Sequence, residues 1–303
     1  MSQLIGTTQN GNYTITMFSD GTKVRFCKED TYIPTKPESM DLKITNKCDR
    51  NCMWCHEASS SSGEHGDIMN LPFIKTLNPY TEIAIGGGNP LEHPDLEQFL
   101  ILCKEHNLIC NMTVNQYHFE RYFDSIKELV DNKLIYGLGI SLMEPTPEFI
   151  ELVKEIPNAV IHVIAGIVSR PQLRRMYNQN IKLLILGYKH FRKGNTFYKS
   201  SVDRGALIDT RINKISSMLP EIIEKFKVVS FDNLAIKQLD VKSIVPEEDW
   251  DHFYMGDDGM FTMYVDGVKK EFAVSSTSEK RYPYTNEGIE DMFKTIRKEK
   301  DVV

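Results

Sequence analysis

Three cysteines fall within eight residues of one another: Cys48, Cys52 and Cys55, in Lys-Cys-Asp-Arg-Asn-Cys-Met-Trp-Cys-His. The C-x3-C-x2-C spacing puts three thiolates on one short loop. Soft sulfur ligands so arranged suit three irons of a cubane 4Fe-4S cluster and leave the fourth iron open. The same spacing admits a zinc knuckle completed by His56 or His65, or three buried structural thiols. About thirty residues on stands Ile85-Gly86-Gly87-Gly88-Asn89-Pro90-Leu91-Glu92-His93-Pro94. Successive glycines at a strand end let backbone approach a ligand closely, although a glycine triplet also serves a plain tight turn. Cys103 and Cys110 have apolar neighbours and read as small core residues.

The elements that position these residues follow from periodicity. Alternation from Asn12 to Phe26 around Asp20-Gly21 predicts an N-terminal antiparallel hairpin. Pro34 and Pro37 break the chain before Met40 to Thr45, a short strand that runs into the cysteines. Further strand-like runs lie at Glu82 to Ile85, Ile109 to Val114, Ile135 to Ser141, Val160 to Ile167 and Ile181 to Leu186. Between them come helical stretches, Asp95 to His106, His118 to Asn132, Pro147 to Ile156 and Pro171 to Asn178. Strands alternating with helices imply a parallel α/β sheet with right-handed crossovers. Six such units are two short of a closed barrel, so the pattern predicts a partial (β/α)6 TIM-like barrel with its chemistry at the C-terminal strand ends. A long helical stretch, Ala206 to Lys227, precedes Val228 to Phe231 and an alternating segment, Gly259 to Ser275, around Asp266-Gly267. The chain is thus read as an N-terminal hairpin and lead-in (1–39), a barrel core (40–227) and a small β-rich C-terminal appendage (228–303).

Composition narrows the partners. The 303 residues are 41% hydrophobic and 26% charged, which fits a globular chain and excludes wholesale disorder. Apolar runs are interrupted by His162 and Lys182 and are too short to span a bilayer. The polar start, Met1 to Asn12, lacks a secretory signal and points to a cytoplasmic protein. A formal net charge of −6 argues against nucleic acid as a partner. Six unevenly spaced cysteines do not make a disulfide framework.

Taken together, the cysteine spacing after the first strand, the aromatic Trp54 before the third cysteine and the glycine run after the second strand resemble the radical S-adenosylmethionine (radical SAM) superfamily. The resemblance covers about Met40 to Gly187. It implies a 4Fe-4S cluster held by Cys48, Cys52 and Cys55, with the amino and carboxylate groups of SAM on the open iron. It further implies reductive cleavage of SAM to a 5′-deoxyadenosyl radical that takes a hydrogen atom from substrate. Gly87, Gly88, Asn89 and Pro90 match the family's Gly-Gly-Glu-Pro, with Asn89 in place of the glutamate that accepts a hydrogen bond from the methionine amino group. An Asn carbonyl can also accept one, without charge assistance.

Asn115 and Ser141 resemble family positions near the ribose and methionine moieties, or are ordinary strand-end caps. Ile164 resembles the residue that packs on adenine, while Leu186 and Tyr188 would offer backbone to its edge. His162 reads as a core histidine rather than a catalyst. Lys189, Arg192 and Lys193 either grip a SAM carboxylate, a substrate phosphate or an acidic side chain, or form a solvated loop.

The appendage resembles the SPASM-like segment of peptide-modifying relatives without its cysteines, so no auxiliary cluster is expected, and no leader-peptide domain is evident. The implied substrate is a peptide or protein side chain, or alternatively a nucleotide or small metabolite. The implied reductant is a flavodoxin- or ferredoxin-like donor. A non-catalytic, zinc-stabilised binding module is the alternative from another class, motivated by Asn89.

Overall fold

The computed structural model describes residues 2–300. Strands β1 (Leu4–Asn10), β2 (Tyr13–Phe18) and β3 (Lys23–Cys27) form an antiparallel meander. The predicted hairpin is therefore the second half of a three-stranded sheet. β1 escapes the sequence pattern because Leu-Ile-Gly-Thr-Thr-Gln-Asn lacks clean alternation, and pairing with β2 rather than a buried apolar face defines it.

The main sheet contains β4 (Ser39–Thr45), β5 (Glu82–Gly87), β6 (Ile109–Asn115), β7 (Gly137–Ser141), β8 (Ala159–Ile164), β9 (Lys182–Leu186), β10 (Val228–Phe231), β11 (Thr262–Asp266), β12 (Glu271–Ala273) and β13 (Tyr282–Pro283). Its order is β10-β9-β8-β7-β6-β5-β4-β11-β12-β13. The six predicted parallel strands are present, and two more join them. β10 adds to β9 in parallel, and β11 pairs in parallel with β4 before turning back into β12. The C-terminal strands are thus hydrogen-bonded into the main sheet. The helical stretch predicted from His118 to Asn132 divides at Tyr122 into Gln116–Arg121 and Phe123–Asp131.

Side chains alternate across each strand. Met40, Leu42 and Ile44 of β4, Ile83 and Ile85 of β5, and Leu183 and Ile185 of β9 are buried in the apolar core. Asp41, Lys43 and Thr45 therefore face the other way. That inner face is curled. β9 and β12 stand seven positions apart in the order, which would separate them by about 34 Å in a flat sheet at ~4.8 Å per strand. Yet Lys189, just past β9, donates from Nζ to Ser276 Oγ, just past β12, at 3.0 Å. Asn233, just past β10, likewise donates to Asp258 at 2.7 Å, just before β11. The sheet wraps into a trough without closing, since β10 and β13 are its outermost strands. No helix among the described residues is long and apolar enough to cross a membrane.

Candidate functional site

Strand register brings the predicted site residues to one rim. Thr45 lies beside Gly87, Asn115 beside Ser141, and Ile164 beside Leu186, all at C-terminal strand ends. The cysteine loop leaves β4 at this rim, with Cys48, Cys52 and Cys55 half-buried. Burial pushes the Cys48 and Cys52 thiols up. For Cys52 the neighbouring Cys55 and Cys48 add to that rise.

Contacts with several elements fix the loop. Asn46 and Cys48 pair through backbone with Glu64 and Ser60. His118 Nε2 meets Asp49 Oδ1 at 2.6 Å. Burial opposes ionisation of Asp49, but the bond and charge of His118 outweigh it and hold the carboxyl below its ordinary range. Lys193 Nζ donates to Asn51 Oδ1 at 2.7 Å and to the Ser59 carbonyl at 2.9 Å. Beyond the third cysteine, Glu57 enters a buried network. Lys43 Nζ lies 2.9 Å from Glu57 Oε2 and 3.0 Å from Asp266 Oδ2. Tyr264 OH donates to the Glu57 carboxylate at 3.1 Å, and Arg192 Nη1 to the Glu57 carbonyl, also at 3.1 Å. Burial first, and the Glu57 charge second, push the Tyr264 phenol above its ordinary range.

Lys189, Arg192 and Lys193 are half-buried, and each is engaged by neighbouring side chains or carbonyls rather than lying in a solvated loop. Arg192 and Lys193 clamp the cysteine loop, and Lys189 bridges Ser276 and His56, with its Nζ 3.4 Å from the ring. Trp54 packs edge-on against Phe197 at 5.7 Å, on the core side of the loop.

The glycine run has a divided role. Gly87 has φ +111°, and a Cβ there would strike the Thr45 carbonyl. One on Gly88 would strike the Lys47 carbonyl, and the Gly88 and Asn89 amides donate to Thr45 and Lys47 at 2.7 Å each. These two glycines thus let the rim lie directly against the root of the cysteine loop. Gly86 alone faces open space and leaves room for a ligand.

Asn89 departs from expectation. It is fully buried; its Oδ1 accepts from the Leu91 amide at 3.3 Å, and its Nδ2 donates to Glu92 Oε1 at 3.2 Å. Pro90 opens the short turn that Asn89 caps. The half-buried carboxylate at this place is that of Glu92, close enough to Cys48 for its charge to act on the thiol.

Asn115 caps the next helix, with Oδ1 accepting from the Tyr117 amide at 3.0 Å. Ser141 and Ile164 are half-buried at the rim, as is Leu186. Tyr188 is buried, and its amide and carbonyl are both paired with the Gln238 side chain, at 2.7 and 2.9 Å. The Tyr188 backbone, one of the groups expected to meet an adenine edge, is therefore paired within the chain. His162 faces the trough, with its ring against Gly139, and burial holds it down at about 4, so it is neutral. Cys103 and Cys110 are buried core residues, as expected.

Residues that spacing could not mark are Lys43, Glu57, Glu92, His118, Tyr264 and Asp41. Asp41 lies beside Tyr264 on the trough floor, open to solvent yet enclosed by the curled sheet. Burial raises its carboxyl to about 6; Lys189 opposes the rise, and Asp258, Glu57 and Asp232 add to it. A carboxyl raised in the folded state contributes stability that is complete below its ordinary value, about 4, and lost as pH climbs through about 6. Asp41→Asn is therefore expected to flatten the fall in unfolding midpoint across that window and to leave the chain more stable at neutral pH. Parallel midpoint-against-pH curves for the two proteins would count against this.

No family model matches the sequence. Over 97 residues the chain is 32% identical to a protein described as a probable GTP 3′,8-cyclase from Methanococcus maripaludis strain S2, and 31% identical to that of strain C5. The match covers 30% of this chain, and the chain spans about a third (32%) of the length of these relatives. Among solved structures, Streptococcus suis SuiB is similar with a TM-score of 0.59 and 13% identity, over 95% of this chain and 86% of SuiB. SuiB bound to the precursor peptide SuiA gives a TM-score of 0.58 at 13% identity, over 86% of this chain and 65% of that one. SuiB bound to S-adenosylmethionine gives 0.57 at 14%, over 86% and 66%. These likenesses carry the fold. In this chain the cysteine triad and the glycine rim meet at the C-terminal strand ends of such a trough.

Proposed function

We propose that this protein is a radical SAM enzyme acting on a peptide or protein side chain held in the trough. The observation that carries the reading is the placement of three half-buried thiols on a tethered loop, directly against a glycine rim that opens onto the trough.

The donor set fits a multi-iron group. A single tetrahedral zinc with bonds of ~2.3 Å holds its sulfurs about 3.8 Å apart. The one group of three ligand atoms within 4.8 Å of one another, among the described residues, is Cys48, Asp49 and His118 rather than the three cysteines. The three cysteine sulfurs are thus not all within 4.8 Å of one another, and neither His56 nor His65 joins them in such a group. Bound at this loop, a 4Fe-4S cluster and SAM would supply reductive cleavage of the sulfonium and a 5′-deoxyadenosyl radical that abstracts hydrogen from the substrate.

The chain's own residues hold, orient and shield. Cys48, Cys52 and Cys55 are the cluster ligands. His118, Lys193 and the Lys43–Glu57–Arg192 network fix the loop that carries them, so no loop ordering is required at the moment of reaction. Gly86 leaves room for SAM, and Ser141, Ile164 and Leu186 line the rim on its far side. With Asn89 turned inward, the acceptor for the methionine ammonium is Glu92, oriented by the Asn89 amide. A charge-assisted hydrogen bond is worth ~1.5–3 kcal/mol. Glu92→Gln is accordingly expected to weaken SAM binding roughly tenfold or more, read as an equilibrium dissociation constant on the reconstituted protein. Unchanged affinity would remove Glu92 from the role.

The trough favours a peptide over a nucleotide. Asp41, Asp232 and Asp258 act on one another across it, while Arg192 and Lys193 are held against the cysteine loop and Lys189 against Ser276. The relatives described as GTP 3′,8-cyclases supply the second reading. Anaerobic reconstitution with iron and sulfide, followed by reductant and SAM, tests the enzyme. Accumulation of 5′-deoxyadenosine supports it, and an iron-loaded chain that leaves SAM intact defeats it. Adding peptide pools or GTP to that mixture separates the substrates by which of them is consumed. A flavodoxin- or ferredoxin-like protein is the proposed donor.

A further inference from the structure

Cys48 Sγ, a carboxylate oxygen of Asp49 and a ring nitrogen of His118 all lie within 4.8 Å of one another. Thiolate, carboxylate and imidazole together suit a borderline-soft divalent ion such as zinc, ferrous iron or cobalt. Metal–donor bonds of ~2.0–2.3 Å put such atoms about 3.3–3.8 Å apart around one tetrahedral ion. The widest of these separations must therefore contract by at most about 1–1.5 Å, while the 2.6 Å His118–Asp49 contact must open by about 1 Å. His118 is the fixed member: it is 1% exposed, on the helix that Asn115 caps. Asp49 is the adjustable one, with a side chain 43% exposed, so an ion can enter from its side and keep a water in the fourth position. The 2.6 Å contact between His118 and Asp49 is the one the ion would replace.

We propose that, before the cluster is built, Cys48, Asp49 and His118 form a mononuclear site for a divalent transition metal. Cys52 and Cys55 take no part in it. Because Cys48 serves both sites, a single ion here and the proposed cluster exclude each other, and only this exclusion rests on the functional reading above. A chain that has captured zinc is then blocked from cluster assembly until the zinc leaves.

The test uses the full-length, reduced, metal-free protein titrated anaerobically with Co2+, whose near-ultraviolet charge-transfer band reports thiolate ligation. One equivalent is expected to bind. The band should persist in Cys52→Ser and Cys55→Ser and vanish in Cys48→Ser. Even outer-shell partners of a metal cost about 10–100-fold in affinity, so loss of the ligand in His118→Gln should cost at least about tenfold. Asp49→Asn, at an exposed position, guards against misfolding of the His118 variant and should also weaken binding. The site is overturned if the band survives Cys48→Ser, or if Cys52→Ser and Cys55→Ser lose it as fully, which would place the ion among the three cysteines. Cobalt affinity unchanged in both His118→Gln and Asp49→Asn would overturn it too, leaving those residues a hydrogen-bonded pair only. Since cobalt binding needs neither iron nor SAM, failure here leaves the enzyme reading standing, and failure of that reading leaves this site standing.

Discussion

Cys52→Ala is expected to give a folded protein that assembles no stable 4Fe-4S cluster and forms no 5′-deoxyadenosine above background. The expected loss in SAM cleavage is on the order of a thousandfold or more, about 4 kcal/mol of barrier. The structure explains why the fold should survive. Cys52 is half-buried on a loop held elsewhere, by Asp49 on His118, Asn51 and Ser59 on Lys193, and Glu57 on Lys43. Removing its thiol creates no cavity in the apolar core and leaves every tether intact. In a zinc-stabilised binding module the same substitution would instead lower the unfolding midpoint and release zinc. Iron and sulfide analysis, brown absorbance and mass spectrometric detection of 5′-deoxyadenosine decide between the two. A Cys52→Ala protein that still holds about four irons and cleaves SAM at the parent rate would end the three-thiolate account.

The features legible in the sequence are those whose partners are close along the chain. The cysteine loop and glycine run are each local, and the strands between Met40 and Leu186 announce themselves as apolar runs. Their common rim follows from parallel register, which a regular β/α alternation already implies. What escaped depends on distant pairing. β11 sits beside β4 because β4 has an open edge, and no local pattern tells a strand which edge it will fill. Lys43 reads as an ordinary lysine until Asp266, 223 residues away, meets it on the same face.

Asn89 illustrates a different limit. Its position in the motif was readable, but its direction was not, because the amide is spent on Leu91 and Glu92 within its own turn. Likewise, Lys189, Arg192 and Lys193 looked like a basic patch, and only the folded chain shows them facing the carbonyls and side chains of the cysteine loop and Ser276. One sequence signal for the buried network was present. A lysine at the centre of Leu42-Lys43-Ile44, a strand ending at a cysteine motif, must point to the inner face and must find an anionic partner there.

Lys43→Met is expected to destabilise the fold by about 3–5 kcal/mol, the cost of leaving buried carboxylates without their cation. Lys43 and Asp266 have side chains 1% exposed and Glu57 7%, so water cannot take over the lost charge. Tyr264 and Arg192 would still reach Glu57, but Asp266 would keep only the backbone amides of Val268 and Lys269. The loss therefore falls mainly on the β4–β11 seam, which joins the C-terminal strands to the barrel. Buried ion pairs replaced as a unit are often neutral, because the desolvation cost disappears with the charges. The triple variant Lys43→Met, Glu57→Gln, Asp266→Asn should accordingly recover most of the stability that the single change removes. Denaturant unfolding of the metal-free chain measures both, apart from any effect of cluster binding on the midpoint. A single variant within about 1 kcal/mol of the parent, or a triple variant no better than the single, would show that the seam does not depend on this lysine. Because Glu57 stands two residues past Cys55, the single variant should also loosen the third thiolate, and it should assemble the cluster more slowly than its residual stability alone predicts.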